Sequence, residues 1–155
     1  MKVEYINPFI EASQTVLMQI AGLEARLGKV YVKDSPYKSD NIMVIVGLTG
    51  TMRGQVIFSM GRPVALGIAS SMMGGMPVSE LDEMAKSAIS ELTNMILGNT
   101  ATLLYNRGIG VEITPPSFLM GENMQVSANK LKTVCIPLMM DNENTIEIDI
   151  ALESI

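Results

Sequence analysis

From Ser79 to about Asn106 the chain reads as one long amphipathic helix, and a helix of that length needs a broad apolar surface to lie on. Ser79 stands as its cap with Asp82 at the capping-box position, and Arg107 and Gly108 suit its C-terminal end. At about 100° per residue, Leu81, Ala88, Leu92, Met95, Ile96 and Leu103 make the buried face. Ser87, Glu91 and Asn94 line the opposite one, and Gly98 and Ala101 extend that stripe into a flat stretch another backbone can approach. A glycine inside a helix costs ~1 kcal/mol relative to alanine. Close packing, against a partner or within the fold, is therefore the expected reason for Gly98.

The surface for this helix comes from β-segments. Asn41 to Met60 is rich in β-branched residues, and Gly50 and Gly54 mark a reversal. Lys132 to Met140 and the alternating run Ile146, Ile148, Ile150, Leu152 form a second hairpin about a turn at Asp141 to Asn144, its return strand half-buried with Glu147, Asp149 and Ala151 outward. Short strands are expected at Lys29 to Lys33 and at Gly110 to Thr114, the latter broken by Pro115-Pro116, and a polar loop at Asp34 to Asp40. Asn7-Pro8 reads as a helix start, with Phe9, Val16, Ile20, Leu23 and Leu27 on one face and Gly28 as the stop. Pro63 opens another helix that Gly74-Gly75 ends. The order helix, strand, hairpin, helix, then helix, strand, hairpin predicts an α+β fold. Two pseudo-repeated helix/antiparallel-strand halves, with long helices packed on a sheet, make a single domain over residues 1–155.

Composition removes most enzyme classes. The absence of histidine excludes Ser-His-Asp and Cys-His nucleophilic sites and every His-containing zinc site. The single cysteine, Cys135, lies in an apolar strand and reads as core rather than nucleophile; it cannot form an intramolecular disulfide, which suits a reducing cytoplasm. A net charge of −5 without a basic cluster argues against nucleic acid. The longest apolar stretch, Ile42 to Leu48, is far below the ~18 residues of a membrane span, and no secretory signal is visible, so a cytoplasmic, soluble protein is expected.

The remaining candidate motifs read as structure. Met72, Met73 and Met76 beside Gly74-Gly75 fill an irregular core or an interface rather than bind copper. Gly50-Thr-Met-Arg-Gly54 lacks the pattern of a phosphate loop. On their own a Glu and an Asn at i and i+3 are what any solvated helix face offers.

Four blocks together are more specific: Val46-Gly-Leu-Thr-Gly-Thr-Met-Arg-Gly54, Ser71-Met-Met-Gly-Gly-Met76, Leu81-Asp-Glu-Met-Ala-Lys-Ser-Ala-Ile-Ser-Glu-Leu-Thr-Asn-Met95 and Ile113-Thr-Pro-Pro116. In this order they resemble the CheC/CheX family of chemotaxis phosphatases, most closely its CheX branch, from about Ile6 to Leu152. The family signature, Ser or Asp, three residues, Glu, two residues, Asn, is met by Ser87, Glu91 and Asn94.

The resemblance implies a CheC-like fold and hydrolysis of the aspartyl phosphate on a CheY-type response regulator. Asn94 would place the attacking water and Glu91 would pair with the regulator's lysine; Ser87 and Gly98 would join Glu91 in contacting the partner. No cofactor or metal is expected in this chain, the Mg²⁺ belonging to the regulator, and a homodimer joined through the β-sheets is implied. Related CheC proteins carry two motifs; here Glu11-Ala-Ser-Gln14 has Gln in place of Asn and is read as ordinary helix surface. The other reading is a non-catalytic interaction module, since the fold also resembles the middle domains of flagellar switch proteins.

Overall fold

Alternation along four strands produces a sheet with one face wholly committed to helices, and the computed structural model, which describes residues 3–34, 36–128, 131–141 and 144–153, shows how. The chain runs α1 (Val3–Ala21), β1 (Arg26–Leu27), β2 (Tyr31–Lys33), β3 (Tyr37–Lys38), β4 (Ile42–Gly50), β5 (Gly54–Met60), α2 (Arg62–Met72) and α3 (Glu83–Tyr105). It continues through β6 (Val111–Ile113), β7 (Ser117–Met120), β8 (Gln125–Val126), β9 (Thr133–Met139) and β10 (Thr145–Leu152).

The β4–β5 and β9–β10 hairpins lie side by side, joined by antiparallel β5–β10 pairing in which Val56 faces Ile150 and Phe58 faces Ile148. Outside them, β1 and β2 pair with β9, while β6 and β7 pair with β4. The strand after each long helix thus crosses to the other half's hairpin, and each half completes the other's sheet. Val44, Val46, Phe58, Ile136, Leu138, Ile148 and Ile150 form one buried core with Phe9, Val16 and Leu17 of α1, Ile68 of α2 and Ile89, Leu92, Ile96 and Leu97 of α3.

Three helix boundaries depart from expectation for identifiable reasons. Asn7-Pro8 lies inside α1, where Pro8 is buried. Proline has no N–H to give the carbonyl four residues back; that Glu4 carbonyl accepts from Arg107 Nη1 at 3.2 Å, a bond brought from the far end of α3. The helix ends at Gly22 (φ +66°), whose N–H reaches the Met18 carbonyl at 3.1 Å, not at Gly28. Phe9 and Val16 are buried as expected, whereas Leu23 is half-buried and Ile20 and Leu27 are exposed, Leu27 on β1.

In α3, Asp82 rather than Ser79 is the cap: its Oδ1 accepts from the Ala85 N–H at 2.9 Å. Gly108 (φ +81°) closes the other end as expected, with Ile109 N–H on the Leu104 carbonyl at 3.0 Å. The buried face is Ala85, Ile89, Leu92, Thr93, Ile96, Leu97, Thr100 and Leu104; Ala88, Met95 and Leu103 are only half-buried. Contact with both α1 and α2 rotates and widens the buried arc. Thr93 and Thr100 are accommodated because their hydroxyls donate to the Ser90 and Ile96 carbonyls, each at 2.8 Å.

The expected polar loop at Asp34 to Asp40 contains β3, which pairs with β8 into a ribbon over the sheet's other face. Val126, Tyr37 and Met124 cover Met43, Ile57 and Ile45 there. Consequently β10 is not half-exposed: Asp149 and Ala151 are buried along with the isoleucines. Pro115-Pro116 interrupts the β4 partner without ending it, since β7 resumes pairing with β4 at Ser117. Of the expected turn, Asn142 and Glu143 lie outside the described residues; the Met140 N–H bonds the Asn144 carbonyl at 2.8 Å.

Candidate functional site

The face of α3 opposite the core carries Ser87, Glu91, Asn94 and Gly98, all exposed. Ile89 and Leu92 on the buried side are at most 1 % accessible, so the helix cannot roll and the direction of the stripe is fixed by packing. None of the Ser87, Glu91 and Asn94 side chains makes a hydrogen bond or ion pair with the described residues. The structure thus brings together the residues that the sequence singled out, and leaves their polar groups available.

Gly98 distinguishes the two reasons for a helical glycine. A Cβ built there meets nothing within 4 Å, so no internal contact requires its absence. The open approach on the outside is what remains. Replacing Gly98 by alanine should therefore raise stability by about 1 kcal/mol, read as a shift in the denaturation midpoint. Gly98→Leu should also fold but lower activity on a macromolecular substrate by obstructing its approach. Full activity in Gly98→Leu would count against a partner here.

Around Ser87 the polar stripe meets apolar side chains. One shallow depression is lined by Glu83, Ser87, Ser90, Lys86, Phe118 and Met120, and another by Glu83, Ser87, Ala88, Met73 and Met84. Met84 and Met120 are about two-thirds and one-half exposed, at 67 % and 47 %. Exposed methionine beside a polar stripe suits an adaptable protein contact. Phe118 and Met120 escaped the sequence reading because β7 itself was hidden behind the proline pair; Met84 is three residues before Ser87 and was legible from helical spacing.

The stripe carries two carboxylates, Glu83 and Glu91, which stand two turns apart and do not form a cage for Mg²⁺. Its donor set suits orientation of water and pairing with a partner's cation. On α1, Glu11 is exposed, but Gln14 is not ordinary surface: its Nε2 donates to the Ala25 carbonyl at 3.1 Å and pins the chain leaving the helix. Cys135 is fully buried, and burial with Asp149 beside it pushes its thiol pKa up, far from nucleophile character.

The α+β fold described above is that of the CheC-like superfamily. The crystal structure of a CheC-like superfamily protein from Shewanella sp. PV-4 aligns with a TM-score of 0.88 at 26 % identity, over 99 % of this chain and 100 % of that one. The crystal structure of the CheX-CheY-BeF3-Mg²⁺ complex from Borrelia burgdorferi contains a chain that aligns with a TM-score of 0.85 at 31 % identity, over 99 % and 100 %. The CheY-P phosphatase CheX of Thermotoga maritima is 29 % identical over 154 residues, 99 % of each chain.

Residues 42–139 match the family described as Chemotaxis phosphatase CheX. The chain belongs to this family of phosphatases.

Proposed function

We propose that this chain, acting as one domain over residues 1–155, accelerates hydrolysis of the aspartyl phosphate of a CheY-type response regulator. The observation that carries this reading is the placement of Glu91 and Asn94, exposed, one turn apart and without side-chain bonds among the described residues, on a helix face that packing holds fixed. A Thermotoga maritima relative named CheY-P phosphatase and a Borrelia burgdorferi CheX-CheY complex support the substrate class.

Asn94 acts by position. Its amide both donates and accepts, so it holds a water in one orientation while remaining a negligible base. The water oxygen forms the new bond to phosphorus in line with the bond that breaks, to the regulator's aspartate oxygen; inorganic phosphate leaves and the carboxylate is regenerated. Phosphoryl transfer of this kind needs chiefly alignment and charge neutralisation. Mg²⁺ on the regulator supplies neutralisation, consistent with its presence in the Borrelia complex. Glu91 pairs with the regulator's lysine and fixes the docking angle, with Ser87 and Gly98 in the contact. A regulator substrate locates the protein in the cytoplasm; no helix among the described residues is long and apolar enough to cross a membrane.

The test is phosphate release from a panel of phosphorylated CheY-type regulators. Acceleration on at least one is expected, and acceleration on none overturns the proposal. With the responsive regulator, Glu91→Ala should raise the concentration for half-maximal rate by about tenfold or more, as expected for loss of one desolvated charge pair. An unchanged saturation curve would remove Glu91 from the interface.

We further propose a homodimer through the free side of β1 and β2, edge strands on which Leu27, Tyr31 and Val32 are exposed. An uncovered apolar edge is a pairing surface. Sedimentation equilibrium should give twice the chain mass, and a strictly monomeric species at high concentration would refute it.

A further inference from the structure

On the side of the sheet away from the helices, under the β3–β8 ribbon, lies a polar cluster that the phosphatase reading does not use. Cys135 on β9 faces Asp149 on β10, and Glu147 is the next residue of β10 on the same face. One ligand atom from each of the three, a sulfur and two carboxylate oxygens, lies within 4.8 Å of the others. Glu147 accepts from the Tyr31 hydroxyl and from Lys33 Nζ, the latter at 2.8 Å. Lys33 also sits over the Tyr37 ring, 4.8 Å from its centre.

Asp149 is the anomaly. It is 98 % buried by accessible surface (2 % exposed), and neither carboxylate oxygen has a well-aligned hydrogen-bond partner among the described residues. The Tyr37 hydroxyl and the Thr133 hydroxyl under the same ribbon are likewise unpartnered. The Cys135 thiol and the Tyr37 hydroxyl lie close enough to the Asp149 carboxylate to favour its charged form, short of a well-aligned hydrogen bond. A buried carboxylate short of well-aligned hydrogen bonds is unfavourable, and a bound proton or a cation relieves it. Lys33 acts on Asp149 only through its charge, because its ammonium is bonded to Glu147.

We propose that Cys135 Sγ and the carboxylates of Glu147 and Asp149 form a binding site for a divalent transition-metal ion of zinc type, with the Tyr37 hydroxyl placed as a neutral fourth donor. The thiol loses its proton to solvent as the metal–sulfur bond forms, and the dication then balances the thiolate and the buried carboxylate. A sulfur donor selects a borderline or soft ion over Mg²⁺ and Ca²⁺, which take oxygen ligands. The site lies on the opposite face of the sheet from α3, which separates this inference from the phosphatase reading.

The experiment uses the full chain stripped with a chelator. Zn²⁺ at a hundredfold excess over its Kd should raise the melting temperature by roughly 5–10 °C, and Mg²⁺ at the same concentration should not. Co²⁺ should give a thiolate-to-metal charge-transfer band that Cys135→Ser abolishes. Asp149→Asn, which removes the buried charge and should fold at least as well without metal, should lose the Zn²⁺ shift. Lys33→Gln removes a competing cation and should tighten Zn²⁺ binding several-fold. No Zn²⁺ shift in the wild type, a cobalt–thiolate band that survives in Cys135→Ser, or an undiminished shift in Asp149→Asn would each overturn the site.

Discussion

Alanine at position 94 lowers stimulated dephosphorylation by ~10²-fold or more while the fold is retained, on the scale of losing one preorganised polar group aimed at a reacting centre. The prediction is sharp because Asn94 has no structural duty. Its side chain is exposed, bonds nothing among the described residues and lies on the face of α3 away from the core. Alanine is the better helix former by up to about 0.7 kcal/mol, so the variant should melt no lower than the wild type. Lost activity then reports chemistry rather than unfolding. Asn94→Asp is the informative companion, since it keeps the size and acceptors but removes the donor and directs a negative charge at a phosphoryl group. Its rate should fall comparably. The measurement is the single-turnover decay of phosphorylated regulator at saturating chain. An Asn94→Ala rate within twofold of the wild type would end the water-positioning role, whatever the regulator.

What could be read from the sequence follows the range of the forces involved. The stripe on α3 was legible because helical period is a local property and its buried side is long. The β4–β5 and β9–β10 hairpins were legible because alternation and glycine reversals are local too. The misreadings lie where a distant residue decides. Pro8 resembles a helix start until Arg107, from the far end of α3, bonds the Glu4 carbonyl that Pro8 cannot serve. Strands of two residues, β1, β3 and β8, carry no period at all and exist only as pairings with distant segments. Asp149 reads as the outward residue of a half-buried strand, and nothing within β10 announces that β3 and β8 cover it. The site survived these errors because it resides on one helix, whose face was set by its own period.

The largest stability loss is expected at Gly54, a residue that the sequence marks only as one end of a reversal. It opens β5 between two partners, facing Leu48 on β4 and Leu152 on β10. Its φ is +155°, a conformation L-residues rarely adopt, and a Cβ there would lie 2.0 Å from the Ala151 carbonyl oxygen and 2.9 Å from the Leu152 Cα. Both neighbours are backbone, so no rotamer change relieves the clash. Either β10 moves off β5 or the reversal rebuilds, and each breaks ladder bonds at the start of β5, beside the core residues Leu48 and Leu152. Gly54→Ala should cost about 3 kcal/mol or more, lowering the melting temperature by roughly 10 °C. Gly98→Ala adds the same methyl group and should move stability the opposite way, because a Cβ there meets nothing beyond its own helix backbone within 4 Å. Measuring the two together cancels the general effect of glycine on the unfolded chain. If Gly54→Ala melts within 2 °C of the wild type, the close passage of β10 over this residue is wrong. A loss confined to Gly54 would instead establish that one glycine is required where the two halves meet, and the other where the surface must stay open.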